Sequence, residues 1–183
     1  MSIQFGIDRL LSDDALRARL NGKRVGLVGH PASVTASLDH SLYALAAMED
    51  VNVTCALGPQ HGMRGDKQDN MIETDDFLDP DLGIPVFSLY GEHRRPTERM
   101  FEPLDVILYD LQDLGCRVYT YLTTLVYVIE EAARYGKEAW VLDRPNPAGR
   151  PIDGLTLRPG WQSFVGAAEF PMVHGMTMGE FGA

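Results

Sequence analysis

The stretch Val106-Ile107-Leu108-Tyr109-Asp110-Leu111-Gln112-Asp113-Leu114-Gly115-Cys116-Arg117-Val118-Tyr119-Thr120-Tyr121 constrains this chain more than any other. Val106 to Tyr109 are apolar or aromatic without a break, the mark of a strand buried on both faces. Asp110, Gln112, Asp113 and Arg117 follow at once. So many polar side chains directly after a buried strand are costly unless they find partners or line a cleft. In an open parallel sheet that cleft lies beyond the carboxyl ends of the strands.

The rest of the chain repeats the pattern. Asp13 and Asp14 open a helical stretch carrying Ala15, Leu16 and Leu20, which Asn21-Gly22 ends. Val25 to Gly29 reads as a strand with His30 after it, and Leu38, Leu42, Leu45 and Met48 have helical spacing. Val51 to Leu57 is a second strand, followed by a polar, glycine-bearing loop from Gly58 to about Pro85 that is long enough to be a binding loop. Pro85 to Tyr90 is a third strand, Thr97 to Phe101 a short helix, and Val106 to Tyr109 the fourth strand. Tyr121 to Tyr135 is a long amphipathic helix stopped by Gly136, and Ala139 to Asp143 is the fifth strand. Strands alternating with helices imply an α/β fold, a Rossmann-like three-layer domain with a mostly parallel sheet and helices on both faces. Residues 1–150 form this domain; beyond it, Pro151, Pro159, Pro171 and many glycines make 151–183 an irregular segment, expected to lead into a second domain that is absent or truncated.

Composition narrows the function classes. A formal charge of −10 weighs against nucleic acid and anionic membranes as partners, because no basic cluster is available to neutralise phosphates. No apolar run is long enough to span a bilayer. The N-terminus shows neither a basic start nor an apolar block, so the default location is cytoplasmic, with a periplasmic or secreted one left open. Cys55 and Cys116 read as buried thiols. Gly26-Leu27-Val28-Gly29 lacks the third glycine of a dinucleotide fingerprint, and neither a P-loop nor a nucleophile elbow occurs. His30, His61, Asp66 and Asp113 are the residues from which a metal site would have to be drawn, but no tight ligand spacing exists, and neither metal nor cofactor is expected.

Each predicted strand ends in hydrogen-bonding or ionisable groups. They are His30 after the first; Gln60, His61 and Arg64 after the second; Tyr90, Glu92, His93, Arg94 and Arg95 after the third. Gln112, Asp113, Arg117, Tyr119 and Tyr121 follow the fourth, and Asp143, Arg144 and Asn146 the fifth. Together they point to one shared polar pocket. Structural roles compete with that reading: Asp143-Arg144-Pro145-Asn146-Pro147 as a rigid turn, Asp113 with Arg117 as a loop clamp, Tyr119 and Tyr121 as core rings with hydroxyls at the rim.

The motifs Gly58-Pro59-Gln60-His61-Gly62-Met63-Arg64-Gly65, Pro85 to Gly91, Asp110 to Tyr121, Val141 to Pro147 and His174-Gly175-Met176-Thr177-Met178-Gly179-Glu180 occur in one order. In this the chain resembles the NamZ-type exo-β-N-acetylmuramidases. The resemblance implies a glycoside hydrolase that releases N-acetylmuramic acid from the non-reducing end of peptidoglycan fragments, in cell-wall turnover or recycling. It also implies a Rossmann-like N-terminal domain followed by a smaller one. The family usually has Pro-Glu-His-Gly where this chain has Pro59-Gln60-His61-Gly62, and the resemblance makes that glutamate the catalytic acid. Glycoside hydrolysis normally uses two carboxyl groups, and an amide cannot replace one in proton transfer. With Gln60 and His61 at the motif position, the remaining acidic candidates are Glu130, which matches a family glutamate, Asp113 and Glu180. Arg64, Arg117 or Arg144 would hold the lactyl carboxylate of a muramyl sugar. Tyr90, Tyr119 and Tyr121 would pack on its ring, Gln112 and Asn146 would bond its hydroxyl and acetyl groups, and Asp143 and His174 are further substrate-binding candidates. A sugar-binding module without turnover is the alternative, and a homodimer stays open.

Overall fold

The computed structural model describes residues 3–65 and 72–183. The elements run α1 (Gly6–Ser12), α2 (Asp14–Ala18), β1 (Arg24–Val28), α3 (Ser41–Ala46), β2 (Asn52–Gly58), β3 (Phe77–Leu78), β4 (Pro85–Ser88), α4 (Glu98–Phe101), β5 (Val106–Tyr109), α5 (Tyr121–Arg134), β6 (Glu138–Val141) and α6 (Met178–Phe181). Among the described residues the strands form one sheet in the order β3-β4-β2-β1-β5-β6. All neighbours are parallel except β3, which pairs antiparallel with β4 at the edge. The α/β, mostly parallel architecture expected from the apolar strands is the one observed.

Strand periodicity explains the layers. Val106 and Leu108 of β5 pack with Val25 and Leu27 of β1 on one face, against Ile7 and Leu10 of α1 and Leu42 and Leu45 of α3. Ile107 and Tyr109 pack on the other face, against Met100 and Phe101 of α4 and Leu122, Leu125, Val128 and Ala132 of α5. Both faces are buried, which is why these strands read as unbroken apolar runs. Gly26 in β1 is a packing requirement, since a Cβ there would lie 2.6 Å from the Leu104 side chain and 3.1 Å from the Cys55 sulfur.

The start of the chain differs from the sequence expectation. The helical stretch after Ser12 is α2, capped by Asp13, whose carboxylate accepts from the Ala15 and Leu16 N–H groups. Ahead of it stands the unforeseen α1, seven residues long, joined to the segment just after β6 where Gly6 N–H donates to Asp143 O at 2.8 Å. The long loop after β2 is interrupted by the two-residue β3. Residues 151–183 are irregular up to α6 but do not hang free: Val173 bridges to both Cys116 and Asp153, and Phe170 and Met178 enter the α5-side core.

Candidate active site

Strand order reverses between β1 and β5: from β1 the chain continues to β2 on one side, while β5 and β6 lie on the other. The carboxyl ends of these two strands therefore flank the crevice where ligands of open α/β sheets bind. Beneath it, Asp110 is fully buried and accepts from Arg144 Nε at 2.7 Å, Arg144 Nη2 at 3.0 Å and the Ser41 hydroxyl at 2.5 Å. Arg144 also donates to Val34 O at 2.7 Å. The sequence reading offered Arg144 as one of three arginines for the substrate; the structure commits its guanidinium to Asp110 and the loop after β1.

The loop after β2 is folded back onto its own strand. Gly62 N–H donates to Pro59 O at 2.8 Å, and a Cβ on Gly58 would stand 2.6 Å from Met63 N. His61 takes φ of 72°, a left-handed conformation that histidine adopts more readily than most residues. Non-glycine residues held there cluster at working sites. Opposite, Thr120 donates to Gln60 Oε1 at 2.9 Å, and the Tyr121 hydroxyl lies 3.5 Å from Gln60 O. The Tyr119 and Tyr121 rings meet edge-on, 4.8 Å between centroids. Gln60, His61, Val118, Tyr119, Thr120, Tyr121 and Val165 line a cavity of about 250 Å³. That is below the roughly 300–1,000 Å³ of sites for drug-sized ligands, and suits a single ring.

Asp113 and His174 are both buried and neither lines the cavity. Asp113 Oδ2 accepts from Gly115 N–H at 2.6 Å and is 3.1 Å from His174 Nε2. That second approach is a close contact that falls short of a hydrogen bond, for Nε2 and the other carboxyl oxygen, Oδ1, both lack such a partner among the described residues. Burial raises the Asp113 pKa, opposed by the Gly115 N–H and the His174 ring, and its charge in turn helps raise that of Tyr119, which burial dominates. Burial also pushes the Tyr121 hydroxyl up.

The other residues singled out from sequence are dispersed. Gln112 Nε2 donates to Asp113 O and Pro145 O, Asn146 Nδ2 donates to Met176 O, and Asp143 accepts from Thr177 Oγ1 and Gly179 N, so these three fasten the corner between β5, β6 and α6. Arg117 is buried and donates to Leu155 O and Phe170 O. Tyr90 is covered by the Arg94 guanidinium at 3.8 Å. Arg64 keeps half its side chain exposed, over the Phe77 ring, and lines two other hollows with Met63. Glu130 pairs with Arg95 at 2.6 Å, and at nine residues beyond Tyr121 the helix carries it roughly 14 Å from the rim. Glu180 closes a capping box with Thr177 and pairs with Arg150, which lowers its pKa. Asp66 lies outside the described residues. Among the described residues no group of three His, Cys, Asp or Glu side chains is placed to hold a metal ion.

Sequence reasoning placed His30 among the strand-end polar groups but gave it no catalytic or substrate-binding role. Its ring centroid is 5.4 Å from that of Tyr121, and burial, with the nearby His61 and His40, lowers its pKa to about 4. Its place, one residue past a glycine at the end of the central strand, was the available signal.

The family description "Exo-beta-N-acetylmuramidase NamZ, N-terminal" matches residues 25–183. The chain belongs to the NamZ family. It is 44% identical over 179 residues to the peptidoglycan beta-N-acetylmuramidase NamZ of Bacillus subtilis strain 168, a match that covers 97% of this chain and 42% of that protein. Two crystal structures of DUF1343 family proteins from Bacteroides fragilis NCTC 9343 share the NamZ-type fold seen here. One superposes with a TM-score of 0.85 at 40% identity over 97% of this chain and 44% of the other. The second gives 0.81 at 30% identity over 98% and 45%. The chain thus spans less than half the length of these relatives.

Proposed function

We propose that this chain is the sugar-binding part of a peptidoglycan glycosidase that releases terminal N-acetylmuramic acid from the non-reducing end of glycan fragments. The observation that carries this reading is the ring-sized cavity of Gln60, His61, Tyr119, Thr120 and Tyr121 at the crevice of a NamZ-family domain. Tyrosine faces suit the apolar side of a pyranose, and the amide and hydroxyls suit its polar edge. Asp113 is the carboxyl candidate for acid catalysis: burial raises its pKa, the direction that favours proton donation. Its charge is felt by Tyr119, which lines the cavity.

A second reading, binding without turnover, draws on the lining itself. Among the described residues none that lines this cavity carries a carboxylate, and Gln60 holds the motif position with its amide bonded to Thr120. An aryl N-acetyl-β-muramide separates the two. Release of the aryl group by this chain, reduced at least about 100-fold in Asp113→Asn, supports the first. Calorimetric binding of N-acetylmuramic acid without release selects the second. Neither binding nor release overturns both. Gln60→Glu keeps an acceptor for Thr120 and adds a carboxyl group, so its turnover is expected to exceed that of the unaltered chain.

A further inference from the structure

His30 is fixed more tightly than its place in a loop requires. Its backbone N–H donates to Ser33 Oγ at 2.9 Å, and its carbonyl accepts from His40 Nε2 at 3.0 Å. Its Nδ1 accepts from Ala32 N–H at 3.3 Å. An imidazole whose Nδ1 accepts carries its proton on Nε2, so the ring is held as one tautomer with a single donor, Nε2–H. His40 is set the same way, its Nδ1 accepting from Leu42 N–H at 3.2 Å, which leaves Nε2–H for the His30 carbonyl. Two buried serines anchor the loop below: Ser33 donates to Asp110 O and Ser41 to the Asp110 carboxylate. The ring leans on Tyr121 and lies near His61, two residues that line the sugar cavity, so His30 borders that cavity rather than lining it, and among the described residues its Nε2 has no hydrogen-bond partner. So much support for one half-buried donor is the arrangement of a binding group rather than of a core histidine.

We infer that His30 is a substrate-contacting residue whose Nε2–H donates to an uncharged oxygen of the saccharide in the cavity, a hydroxyl or the acetamido carbonyl, and not to the lactyl carboxylate. This rests on the sugar-binding reading above. The choice of an uncharged acceptor follows from the surroundings. His61 and His40 both disfavour a positive ring, as does burial, so the imidazole arrives as a neutral donor. Neutral donors complement neutral acceptors, whereas a carboxylate is served by charge-assisted pairing. Arg117 and Arg144 are committed to backbone carbonyls and to Asp110, and Arg64 lies over the Phe77 ring with Asp79 at 3.9 Å.

The test is a long-range proton–nitrogen correlation spectrum of the histidine side chains of this chain, with exposed His93 as internal reference. N-acetylmuramic acid and N-acetylglucosamine, which lacks the lactyl group, are titrated separately. The expected result is that the His30 Nε2 signal moves with both sugars while His93 stays still. Tyr121 signals moving without His30, or His30 moving with the muramic acid alone, overturns this inference and leaves the sugar site standing. Silence of every cavity signal overturns the sugar reading and this inference together. His30→Ala is expected to weaken both sugars roughly five- to tenfold, with partial recovery in His30→Gln, which keeps an N–H donor at similar reach.

Discussion

At the scale of single residues, the crevice rests on charges that never meet solvent. Asp110 and Arg144 are both buried and bonded to each other, and such a pair stabilises little by itself but is costly to break. Arg144→Ala leaves Asp110 with the Ser41 hydroxyl alone, and the expected loss of unfolding free energy in urea is about 3–5 kcal/mol. Replacing both members, Asp110→Leu with Arg144→Met, is expected to cost less than the single change. His30 gives the acid limb of stability. Its pKa is about 4 in the folded chain and near 6.5 when unfolded, so the unfolded state binds the extra proton. Stability is unaffected by this group above pH 6.5, falls as pH drops from 6.5 to about 4, and levels off below. His40, lowered mainly by burial, acts in the same direction. The check is the urea midpoint against pH: its decline across that window is expected to be shallower in His30→Asn.

Elements show why some of this architecture was legible in the chain and some was not. β1 and β5 announce themselves because both faces are buried, and α5 because Leu122, Leu125, Val128 and Ala132 keep helical spacing. β3 is two residues long with Leu78 exposed, so it carries no period to read. α1 shows little more, seven residues whose place is set by Gly6 meeting Leu142 and Asp143, a contact no local pattern encodes. The polar residues at strand ends were visible as a group, but a side chain beside a cleft and one bracing the loop next to it have the same sequence. Asp143, Gln112, Asn146 and Arg117 brace; Gln60, His61, Tyr119 and Tyr121 line. Asp143 is the clearest brace, since it accepts from Thr177 Oγ1 and Gly179 N–H at 2.7 Å each, at the start of a four-residue helix too short to hold itself. Asp143→Ala is expected to cost about 1–2 kcal/mol and to speed amide exchange across residues 177–182 while leaving α5 protected.

For the molecule as a whole, the parallel sheet decides which loops can cooperate and the net charge decides how an anionic ligand arrives. Parallel strands deliver every carboxyl end to one edge, so loops distant in sequence, such as those at Gln60 and Thr120, face each other without any local signal that they will. The formal charge of −10 surrounds that edge with a field that repels an anionic muramyl sugar and is indifferent to a neutral one. Screening shortens from roughly 30 Å at 10 mM salt to about 8 Å at physiological ionic strength. Affinity for N-acetylmuramic acid is therefore expected to rise by a factor of about two to three over that range, while affinity for N-acetylglucosamine stays level. Calorimetry at the two salt concentrations checks this. A fall in muramic acid affinity with salt would mean that a local cation, with Arg64 as the exposed candidate beside the Gln60–His61 turn, outweighs the field of the rest of the chain.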